Sequence, residues 1–234
     1  MSKFDLTRLV ISISVLGIIL VVAFCKLFLK KNPITTKFIA RTSLFAAMSI
    51  ILYLVPIFKF HVPFFPAFLE IHFDEVPALI AGFAYGPLSG FFVVLIRTIA
   101  KLPMTSTMMV GELADFIYSS ILVIPSAIIY KKFHNVKGAL IGLGVSTILQ
   151  LIVSAIITTY ILLDFYIFMM GWPKAVILEM CQAANPNVNE LGLTFMFLVC
   201  IPFNAFKDVI IVALTFVLYK NLHKLIDRLS FTTN

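Results

Sequence analysis

The chain has 234 residues, of which 61% are hydrophobic and 12% charged, and its mean hydropathy is +1.07. These values exclude an ordinary soluble domain and indicate a polytopic membrane protein, with room for six or seven spans and short loops. The net charge of +7 reads as the basic bias of cytoplasmic loops, not as a nucleic-acid footprint.

In chain order, the first apolar run covers 9–29, preceded by Lys3 and Arg8 and followed by Lys30 and Lys31. About 21 residues at 1.5 Å each span roughly 30 Å, one crossing. The run is long for a cleaved signal and lacks an A-x-A-like site, so a retained helix is expected. The second run, 38–57, carries the small residues Ala40, Ser43 and Ala47, which permit close helix contact. It ends at Pro56. The stretch 58–72 follows, irregular, aromatic and interrupted by Pro63 and Pro66. It is too apolar for an aqueous loop and reads as a re-entrant or lid-like segment packed on protein.

Two short apolar segments, 73–85 and 88–102, flank Gly86-Pro87, where a missing backbone donor predicts a turn between two helices in preference to one kinked helix. Longer spans are expected over 110–130 and 138–163. The segment 164–190 is an amphiphilic connection, and a last span over 191–219 is expected to break at Pro202. Lys26, Lys30, Lys31, Lys37 and Arg41, then Lys131, Lys132 and Lys137, then Lys220, Lys224 and Arg228 all fall on one side, which is therefore cytoplasmic. Glu70, Asp74, Glu75, Glu179 and Glu190 fall outside. The count is seven spans, with the N-terminus outside.

Charges inside spans are costly and therefore candidates for function. Arg97 lies past mid-depth and is expected either to serve a site or to pair with Glu112 or another acid. Glu112 and Asp115 lie near the outer start of their span, within reach of water. Asn204 and Lys207, three apart, share a helix face after Pro202. They read either as the polar head of an apolar pocket or as helix–helix glue. Three scattered cysteines (Cys25, Cys181, Cys200) have no CxxC or metal-ligand spacing. No HExxH, no G-x-S-x-G and no Walker loop occurs, so neither an enzyme, a metal centre nor self-powered transport is indicated.

Four blocks then carry a resemblance: 64–83 (FFPAFLEIHFDEVPALIAGF), 84–90 (AYGPLSG), 110–116 (VGELADF) and 201–207 (IPFNAFK). In this order they resemble the substrate-binding S components of energy-coupling factor (ECF) vitamin transporters, most closely the riboflavin type, over roughly 40–225. The resemblance implies an all-α membrane protein with a six-helix S-component core over 38–225. An additional N-terminal transmembrane helix and basic linker would occupy 1–37, and a cytoplasmic tail 226–234. It implies riboflavin as a transported ligand, with no cofactor, in a prokaryotic plasma membrane. The expected partners are a transmembrane coupling protein and two cytosolic ATPase subunits. The implied ligand site comprises Asn204, Lys207, Gly111, Ala114, Asp115 and Thr159, capped by Phe65 and Leu69. The coupling protein would contact Ala40, Ser43, Ala46 and Ala47. Three departures from the family pattern stand out: Asp115 and Thr159 where amides are usual, and Asp208 where glycine is usual. They leave open another flavin such as FMN or another vitamin; a stand-alone facilitator is a separate alternative.

Overall fold

The computed structural model describes residues 34–231, with side chains through 221; the expected first span at 9–29 lies outside the described residues. Seven helices follow in order: α1 Thr36–Leu54, α2 Glu75–Tyr85, α3 Pro87–Lys101, α4 Val110–Phe133, α5 Val136–Phe168, α6 Lys174–Ala184, and α7, which starts at Leu193 and runs to Phe231. No β-strand occurs among the described residues. Five helices (α1, α3, α4, α5 and α7) are long and apolar enough to cross a bilayer.

Local chemistry sets the helix ends. The Thr35 hydroxyl accepts from the Phe38 amide at 3.2 Å, and the Asn135 side chain accepts from the Gly138 amide at 2.7 Å. Both satisfy a donor that the first helical turn leaves open. Gly86 adopts φ +94, which a side chain would resist, and Pro87 opens α3 with its φ already suited to a helix. The segment is therefore two helices joined at a turn, as expected.

At 11 residues α2 is about 16 Å long, half a bilayer. It is buried continuously from Glu75 to Ala84 and packs against α1, α3, α4 and α7. A helix apolar on all faces must lie inside a bundle. Leu79, Ile80 and Phe83 meet Val93, Val94, Leu122, Val123, Leu143 and Ile211 there. The exposed apolar side chains, such as Leu44, Ile51, Ile148, Ile152, Val209 and Val217, form the rim that faces lipid.

Three expectations need correction. The span at 138–163 continues to Phe168 through a π turn at Thr158–Leu162. The connection that follows contains α6, an amphipathic helix that buries Ile177 and Cys181. Pro202 does not break α7. A π turn at Met196–Cys200 immediately precedes it and widens the helix where the proline lacks a donor and crowds the carbonyl one turn back.

Small residues let the helices approach. A Cβ on Gly90 would lie 2.6 Å from Val123 Cγ1 and 3.0 Å from the Ala78 carbonyl. One on Gly142 would lie 2.8 Å from the Ser126 carbonyl, while Gly144 faces open space. Gly90→Ala should lower stability by about 1–3 kcal/mol. Gly144→Ala should leave it unchanged or raise it by up to about 1 kcal/mol. Thermal unfolding in detergent tests both.

Candidate functional site: a capped, charged cleft in the outer half

The segment between α1 and α2 folds back on itself. Phe60 and Ile71 exchange two backbone hydrogen bonds of 2.9 Å, and Lys59 Nζ donates to Glu70 Oε2 at 3.0 Å. Burial pushes the Glu70 carboxyl up, but the Lys59 bond and charge outweigh it and hold the group below the usual carboxylate range. The pair thus contributes at neutral pH and is lost as acid protonates Glu70, and its partial exposure keeps that contribution small. The loop tip reaches across the bundle. The Phe65 ring sits 5.3 Å from Phe203 and 6.2 Å from Phe206 on α7. Phe68 and Leu69 pack on a cluster built from Ile177, Cys181, Val188, Phe195 and Val199. Trp172 belongs to the same cluster and lies 5.2 Å from the Tyr166 ring. The segment is therefore a cap resting on α6 and α7.

Beneath it the chain descends into a buried ionic network. Asp74 lies twelve positions before Gly86 and Arg97 eleven after it, so the α2–α3 turn brings them to one height. Arg97, fully buried, pairs with Asp74, with Asp115 Oδ2 at 3.0 Å and with Ser119 Oγ at 2.5 Å, and lies over the Tyr53 ring at 4.9 Å. Lys207 Nζ donates to Glu75 Oε1 at 2.7 Å, and Ser119 donates to the same oxygen at 3.3 Å. His72 Nδ1 bonds Asp74 Oδ1. Burial pushes the His72 imidazole down to about 4, so the ring is neutral at neutral pH and donates from Nδ1 to an oxygen that only accepts.

His72, Asp74 and Glu75 place their ligand atoms within 4.8 Å of one another. Arg97 and Lys207 already neutralise these carboxylates, so the trio is an ion-pair network and not a free cation site. Of the acids expected to pair with Arg97, Asp74 and Asp115 do so and Glu112 does not. Glu112 is buried and accepts from Thr105 at 2.8 Å and Thr107 at 2.6 Å. Glu112, Asp74 and Glu75 are therefore interior groups, not outer-surface acids, because each has donors within the fold.

Of the expected ligand residues, Lys207 and Asp115 belong to this network. Asn204 and Lys207 are buried on the α7 face just below its π turn, and Asn204 Nδ2 donates to the Cys200 carbonyl at 2.9 Å. Thr159 sits in the α5 π turn, buried, with Oγ1 lacking a hydrogen-bond partner. The two π turns pack against each other, and Cys200 lies 3.7 Å from the Ser154 carbonyl. Asp115 faces Arg97 from α4. Ala114 packs with Tyr118 and Leu162. Gly111 faces Thr107 and Tyr166, where a Cβ would lie 2.6 Å from Thr107 Oγ1. Sequence reasoning missed Glu75, the partner of Lys207, and Ser119. On α1, Ala40, Ser43 and Ala47 are exposed. Ala46 is a correction, because it is buried in the central core, where it packs inward and is closed to any partner.

The family model for the ECF transporter substrate-specific component matches residues 37–219. The chain belongs to that family. It is 28% identical over 182 residues to the riboflavin transporter RibU of Staphylococcus aureus (strain TCH60), covering 78% of this chain and 89% of that protein. It is 26% identical over 184 residues to the riboflavin transporter FmnP of Bacillus subtilis (strain 168), covering 77% and 90%. A solved structure described as the S component of a bacterial ECF transporter superposes with a TM-score of 0.63 at 25% identity, covering 81% of this chain and 96% of that one. This S component is thus a multi-pass protein of the cell membrane in a transporter family, not an enzyme family.

Removing one member of a buried ion pair leaves its partner charged in a dry setting. Arg97→Ala should therefore cost about 3–5 kcal/mol of stability, measured by thermal or denaturant unfolding of the purified protein.

Proposed function

We propose that this chain is the riboflavin-binding subunit of an ECF-type importer, capturing the vitamin at the outer face and delivering it inward. The observation that carries the reading is the pair Asn204 and Lys207. Both are buried on one face of α7, where the cap ring of Phe65 meets the neighbouring Phe203 and Phe206. A mostly apolar site with a few convergent polar groups suits a flat heteroaromatic ring with a polar edge. The similarity to two riboflavin transporters supports the same choice.

In this reading the isoalloxazine packs against apolar residues of α4, α5 and the cap, including Ala114, Phe65 and Leu69, with Gly111 leaving room at the start of α4. Asn204 and Lys207 bond its polar edge. Glu75 holds Lys207 charged and aimed, while Asp115 keeps Arg97 in place. Thr159 offers a hydroxyl where an amide would make two bonds. Transport requires a transmembrane coupling protein and two cytosolic ATPase subunits. The exposed Ala40, Ser43 and Ala47 on α1, beside Leu44 and Met48, provide a face on which another helix packs closely.

A flavin titration of detergent-purified protein, read by quenching of Trp172 and flavin fluorescence, tests the reading. Saturable one-to-one binding is expected. Lys207→Ala should weaken it by about 1.5–3 kcal/mol and Asn204→Ala by about 1 kcal/mol. Lys207→Ala also strands Glu75, so the double variant Glu75→Gln/Lys207→Met serves as the folded control. Absence of riboflavin binding by folded protein, with binding of another vitamin from a panel, would replace the ligand and keep the family. Ala47→Trp should abolish uptake in cells and spare binding. Uptake into vesicles that lack any ATPase would instead make the chain a stand-alone facilitator.

A further inference from the structure

Five carboxyl groups are buried or half-buried around the site: Asp74, Glu75, Glu112, Asp115 and Asp208. Two cations, Arg97 and Lys207, stand against them. Four of the five carboxyls have donors: Asp74 has Arg97 and His72, Glu75 has Lys207 and Ser119, Asp115 has Arg97, and Glu112 has Thr105 and Thr107. Asp208 is 0% exposed, and neither of its oxygens has a hydrogen-bond partner among the described residues.

The charged groups around it do not change that. On α7 itself the adjacent Lys207 is committed to Glu75. From α2, the only ionisable residue near this height is Glu75, another acid. The buried face of α5 presents Ser146, Gln150 and Ser154 and no ionisable group. Ser146 Oγ and Gln150 Oε1 are themselves unpartnered, as is Thr215 Oγ1 two turns further along α7. An ionised, unpaired carboxylate at this depth is among the costliest groups a fold can hold.

We propose that Asp208 is a proton-binding site, holding one proton from solution as an O–H, and that ligand capture is linked to it. The proton removes the charge that would otherwise stand buried and unpaired at Asp208. The linkage follows from Lys207 and rests on the flavin reading. A ligand edge that accepts from the Lys207 ammonium draws that charge from Asp208, and a seated ring excludes water from the cleft. Both effects favour the neutral carboxyl, so binding takes up protons and tightens as pH falls. For one proton the change cannot exceed about tenfold per pH unit.

Infrared spectroscopy of the ligand-free protein tests the site without any vitamin. A carbonyl-stretch band of a protonated carboxyl is expected at neutral pH, absent in Asp208→Asn, and the same in sodium and choline buffers. Because a neutral amide replaces a neutral acid, Asp208→Asn should melt like the parent protein. Riboflavin titration by calorimetry in two buffers of different ionisation enthalpy should give net proton uptake, lost in Asp208→Asn while binding persists. The proposal is overturned by a wild-type spectrum with no such band, by a band that persists in Asp208→Asn, or by one that appears only when sodium is withdrawn. A band with no riboflavin binding would leave the proton site standing and remove the flavin reading. Riboflavin binding with no proton uptake would remove the linkage.

Discussion

The fold turns on a buried guanidinium. Arg97 has no exposure to solvent and sits well inside a membrane helix, past its midpoint, so its charge must be balanced within the protein. Asp74 from the end of the cap and Asp115 from α4 supply that balance. The requirement forces the chain between α1 and α2 to dip into the bundle instead of looping through water. It explains why α2 is only half a span long. It also places Glu75, the first residue of α2, where it meets Lys207 of α7. One charge thereby ties α2, α3, α4 and the cap together, and its neighbour ties in α7.

The functional geometry follows from this arrangement. The cap cannot drift far, because its inner end is anchored by Asp74 and its base is closed by the Phe60–Ile71 bridge. Its tip is held only by aromatic and aliphatic contacts through Phe65, Phe68 and Leu69. Such contacts can be exchanged for a ligand's ring at little cost. The π turns in α5 and α7 lie beside each other under this tip. A π turn widens a helix and frees backbone and side-chain positions from the regular ladder, which suits a place where a ligand must be met. Rigid charge lies below and exchangeable apolar surface above.

Much of this was legible in the sequence. Helix order, the Gly86-Pro87 turn and the cap are set by local signals: long apolar runs, a glycine at positive φ, and aromatic residues between prolines. The ion pair Arg97–Asp74 was within reach too, because the two residues lie nearly equidistant from the turn. The Lys207–Glu75 pair was not, since the residues are separated by 132 positions and nothing local announces their contact. The inward turn of Ala46 was equally hidden. Ala40, Ser43, Ala46 and Ala47 look alike as small residues, and only packing against α2 and α3 decides which of them is covered. The π turns carry no compositional mark beyond Pro202, and the length of α5 exceeded its apolar run because Phe165 and Tyr166 continue the helix as an amphipathic end.

The central claim is that Lys207, held by Glu75 at the floor of a capped cleft, meets the polar edge of a flavin. An experimental structure of the protein with riboflavin bound tests it most directly. The account predicts the ring between the cap and the π turns of α5 and α7, with Lys207 Nζ in hydrogen-bond contact with the ring while still paired to Glu75. A ring seated elsewhere, or a Lys207 that touches only Glu75 with the vitamin in place, would contradict it.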